Sequence, residues 1–180
     1  RYLPDVLSVE EVTAIIDSVD TGSWTGLRDK AILETLYGCG LRVSEAVGLK
    51  ISGLYFTDGF IRIVGKGNKE RIVYFNARAK IHLQEYLKTR KDKNQALFVS
   101  LAKPHNRLQI SGVEMRLRQL GRKVKLPRVH PHKFRRTLAT MAIDKGMPIE
   151  QVQQLLGHAK IDTTMHDAMV SQNKVKISHR

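Results

Sequence analysis

Across most of this sequence the apolar residues recur at helical spacing, but between residues 60 and 75 the pattern changes period, and that change most limits the fold. Phe60-Ile61-Arg62-Ile63-Val64 and Arg71-Ile72-Val73-Tyr74-Phe75 are β-branched and aromatic runs, the side chains that suit a pleated, half-buried surface. Between them lies Gly65-Lys66-Gly67-Asn68-Lys69-Glu70, which reads as a hairpin turn. One antiparallel hairpin is therefore predicted. Most of what surrounds it predicts helix.

Ser8-Val9-Glu10-Glu11 has the form of a capping box, with Ser8 placed to cap the amide of Glu11. Val12, Ile15, Ile16 and Val19 follow at i, i+3, i+4 and i+7, the stripe of an amphipathic helix. A second helix is predicted from about Leu27 to Tyr37, ended by Gly38-Cys39-Gly40, and a third from Leu41 to Leu49. Beyond the hairpin come a helix from about Ala77 to Thr89, a charged linker RKDKNQ, a short apolar run Leu97-Phe98-Val99, and a helix from about Ser111 to Leu120. His132 to about Lys145 reads as a further helix closed by Gly146, and Pro148, suited to a first turn, opens another that Gly157 stops. Asp162 or Thr163 can cap a last helix carrying Met165, Ala168 and Met169. The sum is a mainly helical α+β domain with one small antiparallel sheet. The chain of 180 residues is long enough to bury a real core.

Charge narrows the partners. Lys and Arg number 31 against 17 Asp and Glu, a net +14, and the excess is uneven. Residues 1–50 carry 5 basic and 8 acidic residues, whereas 51–100 carry 10 and 4 and 101–150 carry 12 and 3. A one-sided excess of this size is the electrostatic footprint of a polyanion binder, with nucleic acid first. A ribosome-associated protein and a binder of anionic membrane surfaces are the alternatives. No apolar run approaches the ~18–20 residues that span a bilayer. Cys39 is the single cysteine, so there is neither a disulfide framework nor a thiolate metal site. That fits a reducing compartment, the cytoplasm.

The densest chemistry lies in HPHKFRRTLAT, residues 130–140. Taken as helix from His132, it sets His132 and Arg135 one turn apart on one face and turns Phe134, Leu138 and Met141 to the core. Arg136 lies about 100° further round. A histidine beside an arginine at a helix start offers an anion forked donors, a proton shuttle and the positive end of the helix. A solvated basic face reads equally well from this stretch alone. In GLRVSE, Arg42 follows a glycine turn, and Glu45 stands one turn later, placed to hold or orient a cationic neighbour. An ordinary surface ion pair is the bland alternative. Lys66 at the hairpin tip and His158 after a helix-ending glycine are weaker signals singly. Metal binding through His130 and His132 lacks a third ligand at useful spacing, and Pro131 between them favours a turn.

Together and in order, Arg42 in GLRVSE, Lys66 in GKGNKER, His132 and Arg135 in PHKFRRT, and His158 in LLGH resemble the catalytic domain of tyrosine recombinases. The resemblance runs from LPDVLSVEE to IDTTMHDAMV and is greatest to phage-type and conjugative-transposon integrases of bacteria. It implies residues 1–180 as the catalytic domain, without the family's N-terminal core-binding domain. It also implies site-specific DNA recombination through a 3′-phosphotyrosine intermediate. Arg42 and Arg135 would clamp the scissile phosphate, Lys66 would protonate the leaving 5′ oxygen, His132 would handle the nucleophile's proton, and His158 would donate to the phosphate. Glu45 would orient the basic set. No metal or other cofactor is implied. Type IB topoisomerases carry a similar constellation, but their size and pattern fit less well.

One member of the pattern is missing. The family's nucleophilic tyrosine stands nine residues after the LGH histidine, and here that position is Asp167. The chain's five tyrosines, Tyr2, Tyr37, Tyr55, Tyr74 and Tyr86, all lie far upstream. An aspartate has a shorter reach, would form a labile acyl phosphate and adds negative charge beside a phosphate. The expectation is a chain that binds DNA without cleaving it, through an engineered substitution or as a natural pseudo-enzyme. A tyrosine supplied in trans would have to come from a different chain. Duplex DNA is the expected partner, with Lys69, Arg71, Lys133, Arg136 and Lys160 as further backbone contacts. By the resemblance, the last helix and the tail SQNKVKISHR would dock on a neighbouring protomer. A non-catalytic DNA-binding regulator is the alternative from another class, and a metal-independent ribonuclease a more distant one.

Overall fold

Ser8 closes a full capping box: its hydroxyl accepts the Glu11 N–H at 3.1 Å, and the Glu11 carboxylate accepts the Ser8 N–H at 2.9 Å. That fixes the start of helix α1, Val9–Asp17, and turns Val12, Ile15 and Ile16 into the core. The computed structural model describes residues 6–157. Helix α2, Trp24–Leu33, starts earlier than periodicity predicts, because the Ser23 hydroxyl caps the Gly26 N–H at 3.0 Å. Its continuation, Glu34–Gly38, winds as a π turn and not as the predicted α-helix.

Gly40, at φ 69, then reverses the chain where the Leu138 side chain leaves no room for a Cβ. Helix α3, Val43–Gly48, follows. Strand β1, Leu54–Tyr55, leads to β2, Phe60–Val64, and β3, Glu70–Tyr74, in a three-stranded antiparallel sheet of order β1-β2-β3. The register sets Ile61 opposite Val73 and Ile63 opposite Arg71. Ile61, Ile63 and Val73 form the inner face, while Val64, Ile72 and Tyr74 face out. The β2–β3 hairpin is as predicted. Strand β1 is too short to show alternation.

Helix α4 spans Ala77–Lys88 and α5 spans Ile110–Lys123. The segment RKDKNQ is not the free linker that its charge suggested. Arg90 pairs with Asp92 at 2.7 Å and donates to the carbonyl oxygens of Asn94, Ala96 and Leu97, so its guanidinium organises the turn. Helix α6, Pro131–Asp144, is flanked by the π turn, α1, α5 and α7, Ile149–Leu156. The principal core joins α1, α2, the sheet, α4 and α5. A second cluster, Leu138, Ala139, Ala142, Val152 and Leu156, cements α6 to α7. The expected last helix lies outside the described residues. No helix among the described residues is long and apolar enough to cross a membrane.

Candidate functional site

Arg42 occupies the N-cap of α3 in an extended conformation, just after the Gly40 turn and the buried Leu41. Its backbone N–H donates to Glu45 Oε1 at 2.9 Å, so the carboxylate reaches back over the first turn. Glu45 is only 6% exposed. A carboxylate removed from water needs donors or cations, and strand β3 supplies them. Residue 71 stands opposite Ile63, on the inward phase of the sheet, so the Arg71 side chain runs under the sheet end to α3. Its guanidinium grips both Glu45 oxygens, Nη2 donating to Oε1 at 3.2 Å and Nη1 to Oε2.

Arg135 enters from α6 and is 2% exposed. Its Nη2 donates to the Leu156 carbonyl oxygen at 2.7 Å, one of the acceptors left open where α7 ends. Burial by itself raises the Glu45 pKa. The Arg71 hydrogen bond, the Arg42 N–H and the charges of Arg71 and Arg135 outweigh it and hold the carboxyl below its ordinary value. One ionised carboxylate thus ties β3 to the start of α3 through the Arg71 guanidinium and the Arg42 N–H, with the charge of Arg135 adding to its stabilisation. Beside it opens a cleft of about 1290 Å³, lined by Arg42, Glu45, Gly65, Lys69 and Arg71 and, across it, by Gln153 and Gly157 of the α7 end. Arg71 is matched by Glu45, and the Arg42 side chain lines the cleft, where its positive charge can meet an anion.

The other expected site residues are distributed around this centre. Lys66 lies in a tight 3₁₀ turn, Lys66–Asn68, at the hairpin tip, where Gly67 and Asn68 take φ 73 and 58. The turn is closed by the Gly65 N–H donating to the Lys69 carbonyl oxygen at 2.7 Å. Lys69 is exposed at the cleft. His132 is exposed in the first turn of α6, one turn before the buried Arg135, and Arg136 is half-buried. His158, Lys160 and Asp167 lie outside the described residues. Among the described residues no group of three His, Cys, Asp or Glu side chains could hold a metal ion.

Two of the expected backbone contacts are engaged within the protein. Lys133 is 4% exposed, because neighbours cover most of the circumference of α6. Arg71, expected in the same role, is committed to Glu45. The inward phase of residue 71 in the strand pattern was the signal that could have shown it. Glu45 holds the cation of Arg71, and from Arg42 it takes the backbone N–H.

A profile of the phage integrase family matches residues 5–173. The tyrosine recombinase XerD of Listeria innocua is 37% identical over 182 residues, covering 98% of this chain and 61% of that protein. The tyrosine recombinase XerD of Staphylococcus aureus is 34% identical over 184 residues with the same coverage. The chain therefore spans under two thirds of the length of these relatives. The crystal structure of XerA recombinase superposes with a TM-score of 0.83 at 30% identity, over 100% of this chain and 65% of that one. The Tn1549 transposon integrase in complex with circular intermediate DNA shares the fold, with a TM-score of 0.79 at 20% identity over 93% of this chain and 63% of its own.

Proposed function

This chain belongs to the phage integrase family, and on that premise we propose that it is the catalytic portion of a tyrosine-type site-specific recombinase that seats one phosphate of duplex DNA in the Arg42 cleft. The observation that carries the reading is the buried Glu45–Arg71 pair with the Arg42 side chain beside it lining an open cleft. Such an array is arranged in advance and loses nothing to reorganisation when a phosphate arrives.

In the reaction, a tyrosine oxygen attacks phosphorus, the bond to the 5′ oxygen breaks, and a 3′-phosphotyrosine forms. Arg42 and Arg135 neutralise the non-bridging oxygens as negative charge gathers there; losing one such donor typically costs about 10²–10³ in rate. His132 accepts the nucleophile's proton, Lys66 returns a proton to the leaving 5′ oxygen, and His158 donates to the phosphate. Rejoining reverses each transfer. With Asp167 at the nucleophile position, this chain binds its site and does not cleave it. Lys69 and Arg136 add backbone contacts, and so does Lys160. The C-terminal segment, ending in SQNKVKISHR, docks on a neighbouring copy on DNA. The setting is the bacterial cytoplasm, on the nucleoid.

Covalent trapping tests this. This chain and its Asp167→Tyr variant are incubated with nicked duplexes selected for binding, and adducts are resolved on a denaturing gel. An adduct only with Asp167→Tyr is expected. No adduct from either, despite specific binding by both, would make the chain a DNA-binding regulator.

A further inference from the structure

We propose that Arg71 is a positioning residue, a latch that fixes the β2–β3 hairpin to the first turn of α3 and to the end of α7 and so holds the Lys66 turn at the Arg42 cleft; this rests on the function proposed above. Two contacts meet on Arg71, and a third approach bears on the same carboxylate. Its guanidinium takes both oxygens of Glu45, and the Glu45 Oε1 atom also receives the Arg42 N–H at 2.9 Å. One carboxylate thereby joins strand β3 to the residue that opens α3.

Gly157 supplies the second contact. A Cβ there would lie 2.7, 2.8 and 2.9 Å from Cζ, Nε and Nη1 of Arg71, so the guanidinium packs directly on the residue that ends α7. Gly157 also takes φ 67, so its lack of a side chain serves both the turn and the close approach. The third approach comes from the other arm of the hairpin. A Cβ on Gly65 would stand 3.6 Å from Glu45 Oε2, so both ends of the loop bear on the same carboxylate. The Arg71 side chain is 20% exposed, against 4% for Glu45, and its fork is turned inward. Arginine suits the position because a planar fork can grip two oxygens while lying flat on backbone, which a lysine ammonium cannot do.

A latch and a merely stabilising ion pair differ in what they do to the leaving group. Take the Asp167→Tyr form and compare cleavage of ordinary duplex with cleavage of a duplex carrying a 5′-bridging sulfur, which departs as thiolate without a proton. Arg71→Ala is expected to slow the ordinary reaction by about 10²-fold, the lower end of what a general acid contributes. It should slow the sulfur reaction by less than about a tenth as much, with Arg71→Lys restoring only part of the rate. Arg42→Ala serves as reference and should slow both alike. Equal loss on both substrates in Arg71→Ala overturns the latch.

Should Asp167→Tyr cleave neither substrate, the functional reading fails, and the latch is judged in the unsubstituted chain. Hydrogen exchange of the residue 65–70 amides is then compared with that of Arg71→Ala. Faster exchange confined to the hairpin and the start of α3 supports the latch; unchanged exchange overturns it.

Discussion

Asp29 and Glu45 each centre a buried arginine–carboxylate network, and the two end differently. In the first, Asp29 of α2 is held by Arg28 and by Arg116 of α5, and Arg28 also donates to the Val99 carbonyl oxygen at 3.0 Å. The Arg28 and Asp29 side chains are 3% and 2% exposed, and the outer end of Arg116 is occupied by Gln119. This network closes on protein groups and ties α2 to α5. In the second, Glu45 holds the Arg71 guanidinium and the Arg42 N–H, and beside it the Arg42 side chain lines a cleft of about 1290 Å³. Burial of ion pairs is common to both. What distinguishes a ligand site is the surplus cation facing space.

The comparison can be broken at either network. The largest effect on stability is expected from Asp29→Ala, which strands two arginines at the α2–α5 junction. Losing one partner of a buried pair costs about 3–5 kcal/mol. Denaturant unfolding should show that loss, with DNA affinity per folded molecule unchanged. Gly157→Ala comes next, at about 1–2 kcal/mol for a side chain in the left-handed region, with the displaced Arg71 adding to it. Combined with Arg71→Ala, the two losses should be less than additive by at least about 0.5 kcal/mol, the coupling of residues in contact. Additive losses would separate Gly157 from the latch.

Acid sharpens the comparison further. The folded-state pKa of Glu45 is lowered, so its ionised form contributes stability that is present above its unfolded pKa, near ~4.3, and is lost as pH falls through the folded value. The stability gap between the parent and Glu45→Gln should therefore be full at neutral pH and close in acid. Asp92, which hydrogen bonds from Arg90 push down to about 2, should keep its contribution until pH falls through that value. Unfolding of Glu45→Gln and Asp92→Asn across pH 7 to 2 would check both. The smallest stability change, within about 0.5 kcal/mol, is expected for Arg42→Ala, since the carboxylate uses that residue's backbone N–H and not its side chain. Its DNA affinity should nevertheless fall measurably in a titration at fixed salt, because the side chain lines the cleft.

What the sequence disclosed follows the same division. The hairpin strands were legible because alternation and turn residues agreed, and α1 because its capping box is local. The start of α2 was not, since Trp24-Thr25-Gly26 shows no apolar stripe and only the Ser23 cap marks it. Strand β1 depends on pairing with β2 and carries no signal alone. In the site, Arg42 and Glu45 were legible as a local pair, and Arg135 from its helical phase. The surroundings of Arg71, Lys133 and Arg90 were not legible, because charge alone does not show exposure. Each is held by its surroundings, Arg71 by strand phase, Lys133 by crowding around α6, and Arg90 by the carbonyls that it organises.

The most direct test of the surplus-cation account reads the arginines themselves. Side-chain Nε–Hε spectra of the unsubstituted chain would be recorded with and without duplex DNA carrying its binding site. The signals of Arg42 and Arg135 should shift on binding while those of Arg28 and Arg116 stay in place. Shifts confined to exposed arginines such as Arg118 and Arg122, with Arg42 and Arg135 unmoved, would contradict a phosphate seat in this cleft.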